Sequence, residues 1–143
     1  ETVAIVTGLL TSSPAIQPLA LATDTRPVAT ETKLRVTHAA GGTGDVDVYL
    51  LADGTDLNAA DVTPTFAAMP FTGTSGIQSV APGTYDVYVT PAGTKAVVAI
   101  EVQDLPLSAG QVLDVIARDP DDDGSEGTLP QLIVVDYDTV PSC

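Results

Sequence analysis

The residues with the clearest chemical potential form a short acidic run late in the chain. The run reads Asp-Pro-Asp-Asp-Asp-Gly and places carboxylates at Asp119, Asp121 and Asp123, followed by Gly124. Alternate carboxylates on a tight turn can converge on one hard cation such as Ca²⁺, and glycine permits the turn. A helix–loop–helix calcium site also needs a bidentate Glu at position twelve, where this chain has Pro130. Two interpretations stay open here, a calcium site or an acidic, solvated turn.

Catalytic chemistry has little support in the residue types. His38 is the one histidine of the sequence, and it falls at the end of a predicted strand. A single imidazole without Cys or carboxylate partners at ligand spacing does not make a metal site, so we expect His38 to bond a neighbouring loop. The sequence has no Gly-x-Ser-x-Gly elbow of the kind that presents a nucleophilic serine. We therefore expect no catalytic residues and no enzyme.

Aromatic side chains also predict a structural role. The four tyrosines are Tyr49, Tyr85, Tyr88 and Tyr137. Tyr85 follows Pro-Gly-Thr at the start of a predicted strand, where a tyrosine of a sandwich commonly bonds the backbone. A sugar-binding platform would use exposed aromatics, often Trp, which the sequence lacks.

Short strands must position these side chains. Only 4% of the residues are aromatic, so Val, Leu, Ile and Ala must build the core, and 11 prolines and 12 glycines interrupt the chain. Period-two patterns predict about eight strands, with one helical turn as an option at 57–61. Eight strands without a long helix predict an all-β, antiparallel β-sandwich. The predicted strands are 3–7, 19–22, 33–38, 46–51, 85–90, 96–102, 112–117 and 132–136.

The net charge of the chain limits the classes of partner that it can bind. Nineteen acidic residues against five basic ones leave a net charge of −14. Such a field repels nucleic-acid phosphates and anionic membrane surfaces. No apolar run approaches the roughly 18 residues of a membrane span, so no membrane insertion is expected. Cys143, the one cysteine, cannot form an internal disulfide, and an intermolecular bridge stays open.

Two segments of the chain resemble each other. Residues 17–27 (QPLALATDTRP) and 131–141 (QLIVVDYDTVP) align at a constant offset of 114 residues, and 2–6 matches 114–118 with a two-residue difference in loop length. This self-similarity predicts that 1–27 is a terminal strand pair matching the closing half of a repeat, and that 28–143 is one complete repeat. The identical pairs are Gln17/Gln131, Asp24/Asp138, Thr25/Thr139 and Pro27/Pro141.

The complete unit resembles a known family. KLRVTHAAGGTGDVDVYLLADG (33–54), VAPGTYDVYVTPAGTKAVV (80–98), LSAGQVLDVIA (107–117) and QLIVVDYDT (131–139) are similar to the family called domain of unknown function 4397. The resemblance implies an immunoglobulin-like sandwich, in tandem copies on secreted or surface-attached microbial proteins, without catalytic residues. Two features depart from the family pattern. The turn after the histidine is Gly-rich where members carry Ser-Pro-Asp, and 55–71 is longer.

These observations predict an extracellular or cell-surface structural module that is not an enzyme. Its expected partners are copies of itself, joined head to tail in a filament or tandem array. Two alternatives stay open for the leading strand pair: it packs on its own domain, or it completes the sandwich of a neighbouring subunit by strand addition. No cofactor is expected on this interpretation. The alternative is an adhesin-like or ligand-binding module assisted by Ca²⁺ at the acidic run.

Overall fold

The computed structural model describes residues 2–7, 17–22, 26, 28–119 and 131–136. These residues form ten β-strands and no helix. The strands are β1 (Thr2–Thr7), β2 (Gln17–Ala22), β3 (Thr32–Ala39), β4 (Val46–Ala52), β5 (Phe66–Met69), β6 (Gln78–Val80), β7 (Gly83–Pro91), β8 (Ile100–Leu107), β9 (Val112–Arg118) and β10 (Gln131–Asp136).

The strands form three sheets. β1 and β2 pair antiparallel as a separate two-stranded sheet, called the hairpin below. Sheet I has the order β10-β9-β3-β6, and sheet II has the order β5-β4-β7-β8. Neighbouring strands are antiparallel except β3 and β9, which run parallel with Lys33 opposite Val112. The predicted all-β sandwich is confirmed, and the expectation of a wholly antiparallel arrangement is wrong for this one pair.

The main core lies between sheets I and II. Side chains alternate between the two faces of a strand, so every second residue of β3, β4, β7 and β9 points into the core. Full burial of a Val or Leu side chain stabilises the fold by about 1.5–3 kcal/mol. The aliphatic core expected from the composition is therefore present. Its central members are Leu34, Val36, Val46, Val48, Val87, Val89, Leu113 and Val115.

A second, smaller core covers the outer face of sheet II. Tyr49 of β4 and Tyr88 of β7 are 2% and 9% exposed, and both pack with Leu57. Leu57 belongs to the long connection between β4 and β5, residues 53–65, called the cover loop below. The cover loop therefore buries a sheet face that would otherwise meet solvent.

The helical turn considered at 57–61 is absent. The cover loop instead makes two separate turns, in which the Ala59 N–H donates to Asp56 O and the Val62 N–H donates to Ala59 O, both at 3.1 Å. Each bond closes a single turn, and no helical residue lies in this segment.

All eight predicted strands have a counterpart, but one is displaced. The strand predicted at 96–102 begins at Ile100 and continues to Leu107. Pro106 lies inside this strand, and proline is tolerated there because β8 is an edge strand. β5 and β6 were not predicted because they are short edge strands of four and three residues, with little alternation to detect.

The pairing within the hairpin corrects one part of the sequence alignment. Thr7 lies opposite Gln17, and Arg118 lies opposite Gln131. With Gln17 matched to Gln131, the two registers therefore match Thr7 to Arg118. The alignment of 2–6 with 114–118 is thus one residue out of step, and a one-residue shift exchanges the two faces of a strand.

Candidate functional site

The acidic run is only partly within the described residues. Asp119 turns back to the loop after β3, where its Oδ2 accepts the Gly41 N–H at 2.7 Å and its Oδ1 accepts the Gly42 N–H at 3.1 Å. A Cβ at Gly42 would lie 3.2 Å from this carboxylate, so glycine suits the close approach. Asp121 and Asp123 lie outside the described residues. The calcium site therefore stays a prediction, and Asp119 has a structural role already.

His38 bonds a neighbouring loop, as predicted. The side chain is 1% exposed, and its Nε2 lies 2.6 Å from the Gly44 carbonyl oxygen. Its Nδ1 accepts the Ala40 N–H at 3.3 Å, which leaves the ring proton on Nε2 to be donated to Gly44. Both ring nitrogens are thus engaged by the backbone, an arrangement that suits an anchor better than a general base.

The predicted role of Tyr85 is confirmed. Its hydroxyl donates to the Ala81 carbonyl oxygen at 2.9 Å, four residues upstream. Tyr49 and Tyr88 are buried under the cover loop and present no open ring face to a ligand. Tyr137 lies outside the described residues, as does Cys143.

The sequence analysis missed two buried aspartates on the outer face of sheet II. Asp47 on β4 and Asp86 on β7 are each 5% exposed. At each, two residues of the neighbouring edge strand lie opposite one residue of the central strand, which is a β-bulge. The bulged residues Ala68 and Asp104 have φ angles of 48° and 56°. Each buried aspartate therefore lies beside a strained point of an edge strand.

Each carboxylate bonds its bulge and a glycine turn. Asp47 accepts the Ala68 N–H at 2.7 Å through Oδ1 and the Gly93 N–H at 2.8 Å through Oδ2. The other aspartate, Asp86, makes the same two kinds of bond at 3.1 Å and 3.3 Å. These bonds offset the cost of burying a charge, because hydrogen bonds to charged groups contribute about 1.5–3 kcal/mol each. The donors to Asp86 are the backbone N–H groups of Asp104 and Gly54.

A sequence signal for this pair existed. The pattern Asp-Val-Tyr, four residues, Gly occurs at 47–54 and again at 86–93. β4 and β7 are antiparallel neighbours, so the two copies face each other, and the aspartate of each bonds the glycine of the other. In each copy an aspartate stands between two residues that favour β-strands, and a turn glycine follows at the same spacing. This repeated pattern could have identified the two aspartates.

The Asp86 corner also gathers acidic groups. One carboxylate oxygen from each of Asp53, Asp86 and Asp104 lies within 4.8 Å of the others. Three such oxygens are the type of ligand that Ca²⁺ prefers, although Ca²⁺ usually takes six to eight. Both oxygens of Asp86 already accept backbone N–H groups, so its burial has a structural cause.

The surroundings of Asp86 also affect Tyr88. Burial, and then the negative charge of Asp86, raise the pKa of the Tyr88 hydroxyl above its ordinary value of 10.0. Both causes disfavour the phenolate, the first by removing water and the second by like-charge repulsion. A side-chain hydrogen bond with Gln103 acts in the opposite direction and lowers the pKa.

A buried ion pair joins the two parallel strands of sheet I. Arg35 and Asp114 lie opposite each other in register, with 3% and 2% of their surface exposed. Arg35 Nε donates to Asp114 Oδ1 at 2.6 Å, and Nη2 donates to Oδ2, so the pairing is bidentate. Removal of one partner would leave a buried charge, which typically costs 3–5 kcal/mol. The pair links β3 and β9 in the observed register.

Comparisons with known proteins add no identification. The chain matches no protein-family model, and the search of curated proteins returned no match. The resemblance to domain of unknown function 4397 thus stays a prediction. No helix in the part of the chain that the structure describes is long and apolar enough to cross a membrane.

Proposed function

We propose that the protein is a non-catalytic structural module of an extracellular filament or surface protein, in which copies join head to tail. The hairpin is the joining element and adds its strands to a neighbouring copy. The observation that carries this proposal is the separate pairing of β1 with β2. A two-stranded sheet alone is at best marginally stable in water, so the hairpin needs a further sheet.

The remaining sheets support the proposal because they do not need the hairpin for their hydrogen bonding. All strands of sheets I and II lie between Thr32 and Asp136. The core between the two sheets is drawn from these same strands. Leu21 of the hairpin is only 6% exposed within the single chain, so its own chain already covers one face of the hairpin. Strand addition would therefore use the edge of the hairpin, without taking a strand away from its own sandwich.

Several chemically capable groups among the described residues have structural partners, which supports a non-catalytic role. Both ring nitrogens of His38 face backbone groups. Asp47 and Asp86 brace bulges, and Asp114 pairs with Arg35. Calcium-assisted binding stays the alternative, as a prediction for the run from Asp119 to Asp123.

Negative-stain electron microscopy of the full chain at neutral pH tests the proposal. We expect fibres with a repeat of one domain length, and we expect deletion of residues 1–27 to leave a folded monomer. Fibres that persist after this deletion would contradict strand addition by the hairpin.

A point variant separates joining from folding. Val6 is 71% exposed, so Val6→Asp should leave the sandwich intact. It should prevent joining, because the added strand would bury an unpaired charge. Val6→Thr is the matched control, because it keeps the β-branched shape without a charge. Equal fibre formation by both variants would count against the hairpin.

A further inference from the structure

The longest stretch of the sequence without a charged residue lies on one side of the sandwich. It runs from 62 to 85, between Asp61 and Asp86, in a chain with a net charge of −14. Its central part contains β5 and β6, which lie at the ends of sheet II and sheet I among the described strands. β8 and β10 lie at the other two ends and contact each other, so β5 and β6 share the opposite side of the sandwich. Residues 66–82, from β5 to the turn after β6, are called the neutral side below.

β5 and the connection that follows it line an open groove on the neutral side. The connection lies along β3, because the Ser75 N–H donates to the Val36 carbonyl oxygen at 2.9 Å and the Val36 N–H donates to Ser75 Oγ at 2.9 Å. The groove has a volume of about 340 Å³ and is lined by 66–70 and 73–75. One lining residue, Met69, is 6% exposed and belongs to the main core. The groove therefore reaches from the surface to the main core.

The neutral side faces solvent although it carries no charge. Ala67, Ala68 and Pro70 are exposed beside the groove, and Gln78 and Ser79 are exposed on β6. Charged side chains commonly protect the edges of a sheet from association with another chain. Neither β5 nor β6 has one, whereas β8 on the opposite side includes exposed acidic residues. Both strands are short, which limits strand addition, so side chains must make the contacts with a partner here.

The residue types of the neutral side are those of a protein–protein interface. Both phenylalanines of the sequence, Phe66 and Phe71, and its one methionine, Met69, belong to it. The buried centres of interfaces are depleted in charged residues and enriched in aromatic residues and Met. Phe66 lines the groove, and both phenylalanines are only partly buried within the single chain. A partner that covers them would therefore bury further apolar surface, which stabilises an interface.

The net charge favours a second copy of the chain as the occupant. Two copies with a charge of −14 repel each other through their acidic surfaces, so contact between them favours surfaces without charge. One other stretch, 2–23, is comparably free of charged residues, and it contains the hairpin that the proposed function uses for head-to-tail joining. In a two-fold dimer the same surface of both copies meets, so each neutral side would face an uncharged surface. A basic partner would instead be attracted to the acidic surfaces.

We infer that the neutral side is the docking surface for a second copy of this chain, which contacts it with its own neutral side around a two-fold axis. The groove and the two phenylalanines lie within the contact, and the acidic surfaces of both copies stay in solvent. This inference goes beyond the proposed function, because side-to-side pairing uses a different surface from the hairpin and does not depend on it.

Sedimentation velocity of the full chain tests the inference. Val6→Asp serves as the background, since this variant should block head-to-tail joining and leave side-to-side pairing intact. The addition of Ala67→Glu places a carboxylate on each of the two facing neutral sides. We therefore expect dimerisation to weaken at least tenfold, equivalent to about 1.4 kcal/mol.

Two controls accompany this variant. Ala67→Ser is matched in position and size but carries no charge. Val97→Glu adds the same charge elsewhere, because Val97 is 59% exposed on the approach to β8. Both should dimerise like the Val6→Asp background. Unchanged thermal unfolding of the Ala67→Glu variant will show that its sandwich is folded.

Disulfide formation identifies the contact directly. Ala67→Cys, Thr74→Cys and Ser79→Cys are prepared one at a time, each with Cys143→Ser. In a two-fold dimer a residue near the axis lies close to its own copy, and a disulfide requires Cα atoms about 4.4–6.8 Å apart. We expect oxidation of at least one of these single variants to produce a disulfide-linked dimer. Val97→Cys with Cys143→Ser should produce none.

The outcomes distinguish the inference from the proposed function. A Val6→Asp chain that stays monomeric at every concentration would overturn the neutral side as a docking surface. Equal dimerisation of Ala67→Glu and Ala67→Ser, with no disulfide at any of the three positions, would also overturn it. Fibres that persist in Val6→Asp would count against the hairpin instead, and disulfide formation would then test the neutral side within those fibres.

Discussion

Asp47 and Asp86 occupy matching corners of sheet II, yet only one corner is acidic. Each aspartate is 5% exposed and accepts the N–H of a positive-φ bulge residue and of a turn glycine. At Asp47 the bulge residue is Ala68, whereas at Asp86 it is Asp104, and Asp53 lies close by. The same backbone requirement explains both buried charges. The additional carboxylates at Asp86 are thus not needed for the fold.

The comparison also separates two kinds of aspartate in an acidic chain. Asp47 and Asp86 are buried, and their backbone donors stabilise them. Asp53 and Asp104 are exposed and add charge without a comparable set of donors. Replacement of the first kind should therefore destabilise the fold, and replacement of the second kind should relieve repulsion.

The largest expected effect is on Asp47→Ala and Asp86→Ala. Each removes two charge-assisted hydrogen bonds and should cost about 3 kcal/mol of unfolding free energy. Asp86→Ala should cost about 1 kcal/mol less at low salt, because it also removes repulsion from two carboxylates whose oxygens lie within 4.8 Å. Urea denaturation measures both. At 1 M salt the difference should shrink with the Debye length. Equal losses at low salt would mean that the acidic neighbours have no energetic effect.

Substitution by glycine should change the free energy of unfolding by different amounts at the two bulges. Ala68→Gly should stabilise the protein by about 0.5–1 kcal/mol, because a non-glycine residue at positive φ is strained. Asp104→Gly should stabilise the protein less than Ala68→Gly when both are measured at 1 M salt, because Asp tolerates a positive φ better than Ala. Ala67→Gly is the control, since Ala67 does not have a positive φ, and it should destabilise by about 0.5 kcal/mol. A loss on Ala68→Gly as large as that control would disprove the strain.

The stability of the protein at alkaline pH should depend on Tyr88, whose hydroxyl lies near Asp86. The folded-state pKa of Tyr88 is raised above its ordinary value of 10.0, so the folded protein holds this proton more tightly than the unfolded chain. The resulting stability is fully present below about pH 10 and is lost as the pH rises through the folded pKa. Tyr88→Phe should remove this part of the pH dependence in urea denaturation. Asp86→Asn should lessen it without abolishing it, because burial is the larger cause. If the free energy of unfolding of Tyr88→Phe falls with pH as steeply as that of the unmodified chain, another group causes the alkaline unfolding.

Addition or removal of calcium should have the smallest effect on the stability of the protein. We expect equal melting temperatures in Ca²⁺ and in chelator, because Asp119 is engaged by the Gly41–Gly42 turn and Asp86 by its bulge. A rise in melting temperature with Ca²⁺ would instead favour the binding-module alternative. Asp121→Ala combined with Asp123→Ala would then assign the ion to the acidic run if the rise is lost. Asp53→Ala combined with Asp104→Asn is the matched pair for the acidic corner.

Strand positions were predictable where the pattern was local. Central strands such as β3, β4, β7 and β9 alternate over seven to nine residues, so the sequence predicted them within two residues. β5 and β6 were not predictable, because a short edge strand is defined by the neighbour it pairs with. The cover loop was likewise noticed only as a long segment, because its packing on Tyr49 and Tyr88 joins residues distant in sequence.

The candidate site shows the same division. The bonding of His38 and Tyr85 to nearby backbone was predictable, because their partners lie six or fewer residues away. The partners of Asp47 and Asp86 lie 18 to 46 residues away, although the repeated Asp-Val-Tyr pattern was present to be noticed. The position of β10 at the end of sheet I, among the described strands, could not be predicted, because its sequence reads as an ordinary buried strand.

By itself the sequence determined the all-β class, the aliphatic core and the acidity of the surface, because alternation and charge are properties of neighbouring residues. Tertiary structure alone decided which carboxylates are buried, which strand of sheet I lies parallel to its neighbour and which of the described strands lie at the sheet edges. These features depend on pairing between distant segments. A strand has the same alternation of side chains at the centre of a sheet and at its edge, so the sequence pattern does not distinguish the two positions.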